Sequence, residues 1–495
     1  MAEDFTKRLP AETLNEIIEW IDERKGLHST AHVCRRWRQV AFDQPRRFCW
    51  PRCSSQAVPS SGFLTCNPTS LDFSFARLRC RLKHSRTMQL WLNVLEVDAA
   101  IAVLELVSGS IPQLTTLHIA WDYEALTQKV FDTLASNPAP LLTFLALRRC
   151  KSDRVKQNNN TALPRIPRTI FAGNSAALHM VSLTGMELPE ESLPQFAAVT
   201  DVSFALNSYG AGPWHFQDRF ARHFPAMVSM TFPAQPVFRL AAPSSAEGML
   251  LMGRLTDLKM NESMLDAVLD DYPELSSISH LSVHPDSYSN RPLAARILER
   301  LLGHFAHKDF SIEAAKSSRS GSSTTPMVLA CTGPTTLRRD MSVPLSVLRN
   351  DMPGIFDRAR AGGHELRLTR ADLSGEAFTA LWPVLPPDHL RNVQTYADLD
   401  LPVIPPKTRS RVLPLLREIV ITRHMYHLCE PTEPITLRAK DLSKFVRAAL
   451  RVSGVRSARL RLVGVSVDRV TPAVERMFTE VAQEHVPRGS DCVIM

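Results

Sequence analysis

The chain closes on Cys492-Val493-Ile494-Met495, a cysteine fourth from the end followed by two aliphatic residues and methionine. A prenyl group is attached to this spelling through a thioether, and a terminal methionine favours farnesyl over geranylgeranyl. Residues 486–495 include Pro487 and Gly489 and carry no apolar periodicity, so they read as an exposed tether that a modifying enzyme can reach. The plain alternative is an unmodified thiol. One lipid chain gives only marginal membrane binding, and the tail has neither a lysine run nor a neighbouring cysteine to reinforce it.

A second set of charges lies further in. From Leu401 to Met495 there are 16 Lys and Arg against 9 Asp and Glu, so a net +7 of the chain's formal +8 sits in its last fifth. In "DLSKFVRAALRVSG" Asp441 can cap a helix on which Lys444, Arg447 and Arg451 share one face. In "SARLRLVGV" Arg459 and Arg461 alternate with leucines and point outward from a strand. Such a face is either simply solvated or touches an anionic membrane, where ~1 kcal/mol per basic residue would supplement a lipid anchor. No aromatics are interleaved, which speaks against a nucleic-acid groove.

Other reactive residue types lack partners at working spacing. Cys49, Cys53, Cys66 and Cys80 cluster, but a C-x3-C followed by single cysteines is not the paired knuckle of a zinc site, so no metal and no cofactor are expected. His424 and His427 have no third ligand nearby, and Asp270 with Asp271 reads as a solvated turn rather than an acid/base pair. The G-x-S-x-G elbow, the phosphate loop, G-x-G-x-x-G and H-E-x-x-H are all absent. These residues assign no catalytic role and favour binding; an enzyme with an unfamiliar site would need a deep pocket with converging polar groups.

The elements that must position these groups follow from length and spacing. At ~150 residues per domain, 495 residues would make about three units unless a repeat carries the chain. No apolar run nears the ~18 residues of a membrane span, and "MAEDFTKRLP" lacks a signal peptide's apolar stretch, so an intracellular protein, cytoplasmic or nuclear, is expected. Nine scattered cysteines fit reduced thiols there.

Past the Pro/Ser-rich stretch after residue 50, apolar residues recur at i, i+3 and i+5: "LTTLHI" from Leu114, "LTFLAL" from Leu142, "LHMVSL" from Leu178, "VTDVSF" from Val199, "MVSMTF" from Met227, "LTDLKM" from Leu255 and "ISHLSV" from Ile278. "LRNVQT" and "LREIVI" from Leu390 and Leu416 continue it, with "HELRL", "SARLRL" and "HKDFSI" as weaker forms. The spacing resembles the leucine-rich repeat, in which each copy is a short strand followed by a returning helix or loop. Only "LTFLALRRC" places Cys150 where the repeat usually has Asn or Cys, so the solenoid would be irregular; a generic α/β domain is the alternative. "DAAIAVLELVSG" and "PLAARILERLLGHF" carry helical spacing, and "TPAVERMFTEVAQEH" predicts a last helix capped by Thr471, with Val474, Met477, Phe478 and Val481 on its apolar face. "KSDRVKQNNNTALPRIPR" and "AAKSSRSGSSTTP" read as insertions, either polar loops without a role or binding loops, the second offering Ser317, Ser318, Ser320, Ser322 and Ser323 to a kinase.

Ahead of the repeats, Pro10 fits the first turn of a helix, and Leu14, Ile17, Ile18 and Ile21 make one apolar face. After Gly26 a second helix repeats the spacing through Val33, Cys34, Trp37, Val40 and Ala41. So short a unit cannot bury both faces by itself. "LPAETLNEII" and "HVCRRWRQVA" resemble the opening and close of the F-box, with the "DERKG" connection slightly long for that family. The resemblance implies docking on a Skp-type adaptor, and through it a cullin and RING subunit, by Leu9, Pro10, Leu14, Ile17, Ile18, Val33, Cys34 and Trp37. Trp37 reads equally as internal packing or as contact. Some F-box leucine-rich-repeat proteins also end in a prenylation box.

The expectation is therefore an α/β chain with a helical F-box at 1–50, a linker and cap at 51–110, an irregular leucine-rich-repeat domain of alternating short strands and helices at 111–485, and a tail at 486–495. Its expected function is substrate recognition for an SCF-type ubiquitin ligase, without catalysis of its own. It would bind an unknown protein substrate and associate peripherally with membranes. The alternative is a membrane-associated repeat scaffold with no ligase role.

Overall fold

Residues at i, i+3 and i+5 cannot all face one side of a continuous strand, because strand side chains alternate with a period of two. In most copies the chain places the first residue of a triplet in a turn and the other two in a strand that begins two residues later, whereas Leu114 already opens its strand. In a computed structural model, Leu142, Leu178, Val199 and Met227 precede strands beginning at Phe144, Met180, Asp201 and Ser229, and all four are 0% exposed. The structure describes residues 88–94, 97–121, 124–149, 163–205, 216–232, 246–268, 273–285, 291–314, 324–331, 336–386, 388–397, 415–423, 435–449, 458–463, 465–467, 472–476 and 478–484, with Leu9, Pro10, Thr13, Leu14, Ile17, Val33, Trp37 and Val40 nearer the start. The chain divides into two units, Met1–Leu255 and Thr256–Met495, both of mixed α/β class with mostly parallel strands.

In the first unit, strands β1 (Met88–Val94), β2 (Leu114–Trp121), β3 (Phe144–Arg149), β4 (Met180–Thr184), β5 (Asp201–Ala205) and β6 (Ser229–Thr231) lie side by side in chain order, all parallel. β1 falls inside the segment read as linker and cap. Register aligns Leu117, Leu145, Val181, Val202 and Met230 in one buried row and Ile119, Leu147, Leu183 and Phe204 in the next, none more than 2% exposed. Burying each such side chain contributes about 1.5–3 kcal/mol, so the rows are the main cohesive element.

The crossovers follow local sequence. α1 (Val97–Ser108) and α2 (Glu124–Ala135) are full helices; α2 buries Leu126, Val130, Phe131 and Leu134, and the buried Trp121 indole donates to Thr127 Oγ1 at 3.0 Å. Between β4 and β5, Pro189 and Pro194 interrupt any longer helix, leaving a short turn at Pro194–Phe196. The turn Ile170–Gly173 runs through left-handed backbone at Phe171, Ala172 and Gly173 (φ 56°, 47° and 78°), which only glycine accepts without strain. Phe171 is 0% exposed, and its burial offsets part of that cost. α3 (Phe216–His223) and α4 (Ala246–Arg254) complete the unit. His223 donates from Nε2 to the Pro189 carbonyl at 2.9 Å, and burial lowers its pKa to about 4.

The second unit contains strands β7 (Asp257–Asn261), β8 (His280–His284), β9 (Asp309–Ala314), β10 (Thr324–Cys331), β11 (Arg338–Pro344), β12 (Arg367–Leu373), β13 (Asn392–Ala397), β14 (Glu418–Arg423), β15 (Ile435–Leu437), β16 (Arg459–Val463), β17 (Val465–Val467) and β18 (Glu480–Glu484). Its helices are α5 (Glu262–Val268), α6 (Arg291–Gly303), α7 (Leu345–Asn350), α8 (Met352–Ala361), α9 (Gly375–Leu381), α10 (Ala439–Ala449) and α11 (Pro472–Glu475). The main sheet runs β7-β8-β11-β10-β9-β12-β13-β14-β16-β18, while β15 and β17 pair separately. Apart from that separate pair, the progression is also broken between β8 and β9. β10 is antiparallel to both β9 and β11, while β11 pairs parallel with β8, so a hairpin is inserted between β8 and β9. The signals for it are the alternation of buried Met327 and Leu329 and the Gly333-Pro334 pair between two alternating runs. The serine-rich insertion therefore ends in β10, whereas Ser317 to Ser323 lie outside the described residues.

The predicted last helix is also corrected. Among its described residues only Pro472–Glu475 is helical, and Glu480–Glu484 forms β18, parallel to β16. Pairing with β16 overrides the helical propensity of Glu, Ala and Gln, and carboxylates on β18 meet the arginines of β16.

Thr395 is one of several buried positions that depart from the apolar rule. Thr395 on β13 is aligned with Leu373 and Ile421, is 0% exposed, and its hydroxyl has no partner among the described residues. Thr395→Val keeps the shape and removes a buried unsatisfied oxygen, so it should raise stability by about 1 kcal/mol, seen as a higher urea midpoint at unchanged slope. A lower midpoint would show that the hydroxyl is satisfied.

Candidate functional site

The N-terminal residues form a small apolar cluster. The Leu14 N–H donates to the Pro10 carbonyl at 3.1 Å, closing a first helical turn from Pro10. Leu14 (0% exposed) and Val40 (8%) form the centre, and Leu9 and Trp37 pack against it half-buried. Ile17 and Val33 are 37% and 59% exposed. The predicted docking residues thus divide into an inner set, Leu9, Leu14 and Trp37, and an outer set, Pro10, Ile17 and Val33. Ile18 and Cys34 lie outside the described residues. Exposed branched aliphatics beside a sealed apolar centre suit docking of another apolar surface.

The proposed basic face is only partly available. On α10, Leu442 and Phe445 are buried, the Phe445 ring lies 5.4 Å from Phe378, and Lys444 is exposed. Asp441 sits in the first turn rather than at the cap. Arg447 belongs to α10, and Arg451 lies outside the described residues, as does Cys492. Arg459 and Arg461 alternate with buried leucines as predicted, but a free charge is not what they offer. Arg459 Nη2 donates to Glu480 at 2.9 Å, and Arg461 makes a two-pronged contact with Glu484 at 2.9 and 2.7 Å and reaches Glu418 at 3.5 Å. The hydrogen bond from Arg461 holds the Glu484 carboxyl below the usual carboxylate range. Carboxylates thus lie against both arginines.

The sides of the sheets facing away from the buried rows differ between units. In the first, Phe144 and Met180 are register neighbours, half-buried and 45% exposed, beside a row of Ala146, Ser182, Ser203 and Thr231. Small side chains there leave the strands shallowly covered next to one apolar pair. In the second, the His280 ring lies 2.9 Å from both Asp257 and Asp340, Arg338 donates to Asp340 at 2.8 Å, and Arg370 pairs with Asp372 at 2.8 Å. A face whose arginines lie against carboxylates of their own strands attracts a polyanion weakly.

Among the described residues no group of three His, Cys, Asp or Glu side chains is placed to hold a metal ion, and no helix is long and apolar enough to cross a membrane. The cysteine cluster at 49–80, Asp270 with Asp271, and His424 with His427 lie outside the described residues. No protein-family model matches the chain, and no curated protein matches it.

Proposed function

We propose that the chain is the substrate-recognition adaptor of an SCF-type ubiquitin ligase, with an N-terminal F-box and an irregular leucine-rich-repeat receptor domain. The observation that carries this reading is the division of the N-terminal cluster: Leu14 and Val40 sealed, Ile17 and Val33 open, on residues that resemble the F-box at both ends. The parallel strands that follow the apolar triplets support the repeat reading. The substrate would be a protein held on the open faces of the strands, and ubiquitin transfer would belong to the partner enzyme. Purification of the tagged chain with the proteasome inhibited tests this. A Skp-type adaptor and a cullin should be recovered with it, and their consistent absence rejects the ligase role.

The same proposal includes farnesylation of Cys492, supported by the Cys-Val-Ile-Met spelling. Cys492→Ser should abolish incorporation of a farnesyl label and move the protein out of the membrane fraction. Equal labelling of the two forms contradicts it.

A further inference from the structure

Arg339 on β11 is 0% exposed. Strand alternation turns it inward, whereas its neighbours Arg338 and Asp340 face the open side with His280. Inside, Nη1 donates to the carbonyls of Ile278 at 2.7 Å and Arg338 at 2.8 Å, and Nη2 to those of Ser276 at 3.1 Å and Leu275 at 3.3 Å. Nε donates to Nδ1 of His304, just after α6, at 3.1 Å. All these acceptors are neutral, and no carboxylate is among them. The inserted hairpin is therefore tied to the turn before β8 and to the end of α6 by one buried cation.

A histidine nitrogen accepts a hydrogen bond only through its lone pair, so His304 must be neutral, with its proton on Nε2. We propose that His304 is a proton-sensitive latch for the β10–β11 hairpin: neutral, it anchors Arg339 and keeps the hairpin between β8 and β9, and protonation at Nδ1 releases both. A proton on Nδ1 would point at a guanidinium N–H and set two cations together, with no anion among the described residues acting on the ring. Among the described residues, the other charged group acting on the ring is Lys308, which also opposes protonation. Cys331 on β10 stays a neutral thiol because burial raises its pKa. Release uncovers the facing edges of β8 and β9, two rows of unpaired backbone groups.

Burial first, then Arg339 and Lys308, lower the His304 pKa from 6.5 to about 4 in the closed state. An opened hairpin restores the ordinary value, so the closed state is fully favoured above pH 6.5 and loses ground as pH falls toward 4. Each unit in that window raises the opening constant by up to about tenfold, and about 300-fold in all. This inference is independent of the ligase reading.

Hydrogen exchange of the full chain between pH 6.5 and 4.5, corrected for intrinsic rates, tests it segment by segment; a whole-chain acid melt would not, because His223 in the first unit is also buried and neutral. Peptides covering Thr324–Pro344 and Leu275–Ser279 should exchange up to about tenfold faster per unit of acidification, while those of β12 to β14 hold. His304→Asn should flatten that dependence and His280→Asn should leave it. A flat wild-type profile overturns the latch, as does a rise shared with β12 to β14, a dependence surviving His304→Asn or one abolished by His280→Asn. If His304→Asn does not fold, the wild-type and His280→Asn profiles decide.

Discussion

Arg339→Leu should cost the second unit about 3–5 kcal/mol of folding stability, against a typical domain total of about 5–15 kcal/mol. Replacing a whole buried ion pair by hydrophobes of similar size is often harmless, because both charges leave together. Arg339 differs in what it leaves behind. Its partners are carbonyls around Leu275 and Ile278, both residues 1% exposed, and these stay buried after the guanidinium is removed. Each stranded acceptor costs about 1–3 kcal/mol, which more than offsets the apolar gain of leucine. Arg339→Lys should rescue little, because an ammonium cannot span acceptors set for a planar fork. Urea unfolding followed by tryptophan fluorescence measures this, and a loss below about 1 kcal/mol for Arg339→Leu would mean that the carbonyls find other donors.

The second large effect is expected at the N-terminal cluster, where two kinds of substitution should separate. Ile17→Glu with Val33→Glu places charges on side chains already 37% and 59% exposed, so helicity and melting should stay within about 0.5 kcal/mol of wild type. Binding to a Skp-type adaptor should nevertheless weaken by at least about 100-fold, because each carboxylate would be desolvated in an apolar interface. Leu14→Ala should do the reverse at first sight. It removes the 0%-exposed centre of the cluster, destabilises it by about 2–5 kcal/mol, and loses binding only by unfolding the surface.

The strands were legible wherever a local pattern fixed both spacing and face. The triplets from Leu142 to Met227 each lead into a strand two residues on, because one buried turn residue and two alternating strand residues suffice to specify it. The β10–β11 hairpin was not legible from that pattern, since its position between β8 and β9 is decided by pairing over long distances in the chain. β18 was misread for a related reason. "EVAQE" has helical propensity, and its strand form depends on β16 and on Arg459 and Arg461, which are 21 and 23 residues from their glutamate partners. The same distance hid the neutralisation of those arginines. At the N terminus helical spacing identified Leu14 and Ile17 as one stripe, but only packing against Val40 and Trp37 separates the sealed residue from the open one.

The ligase reading rests on that open pair, and binding of a purified Skp-type adaptor to the full chain, titrated by calorimetry beside the Ile17→Glu/Val33→Glu variant, tests it most directly. The account predicts one-to-one binding by the wild type and binding at least about 100-fold weaker by an equally folded variant. Absence of wild-type binding, or equal binding by both forms, would contradict it.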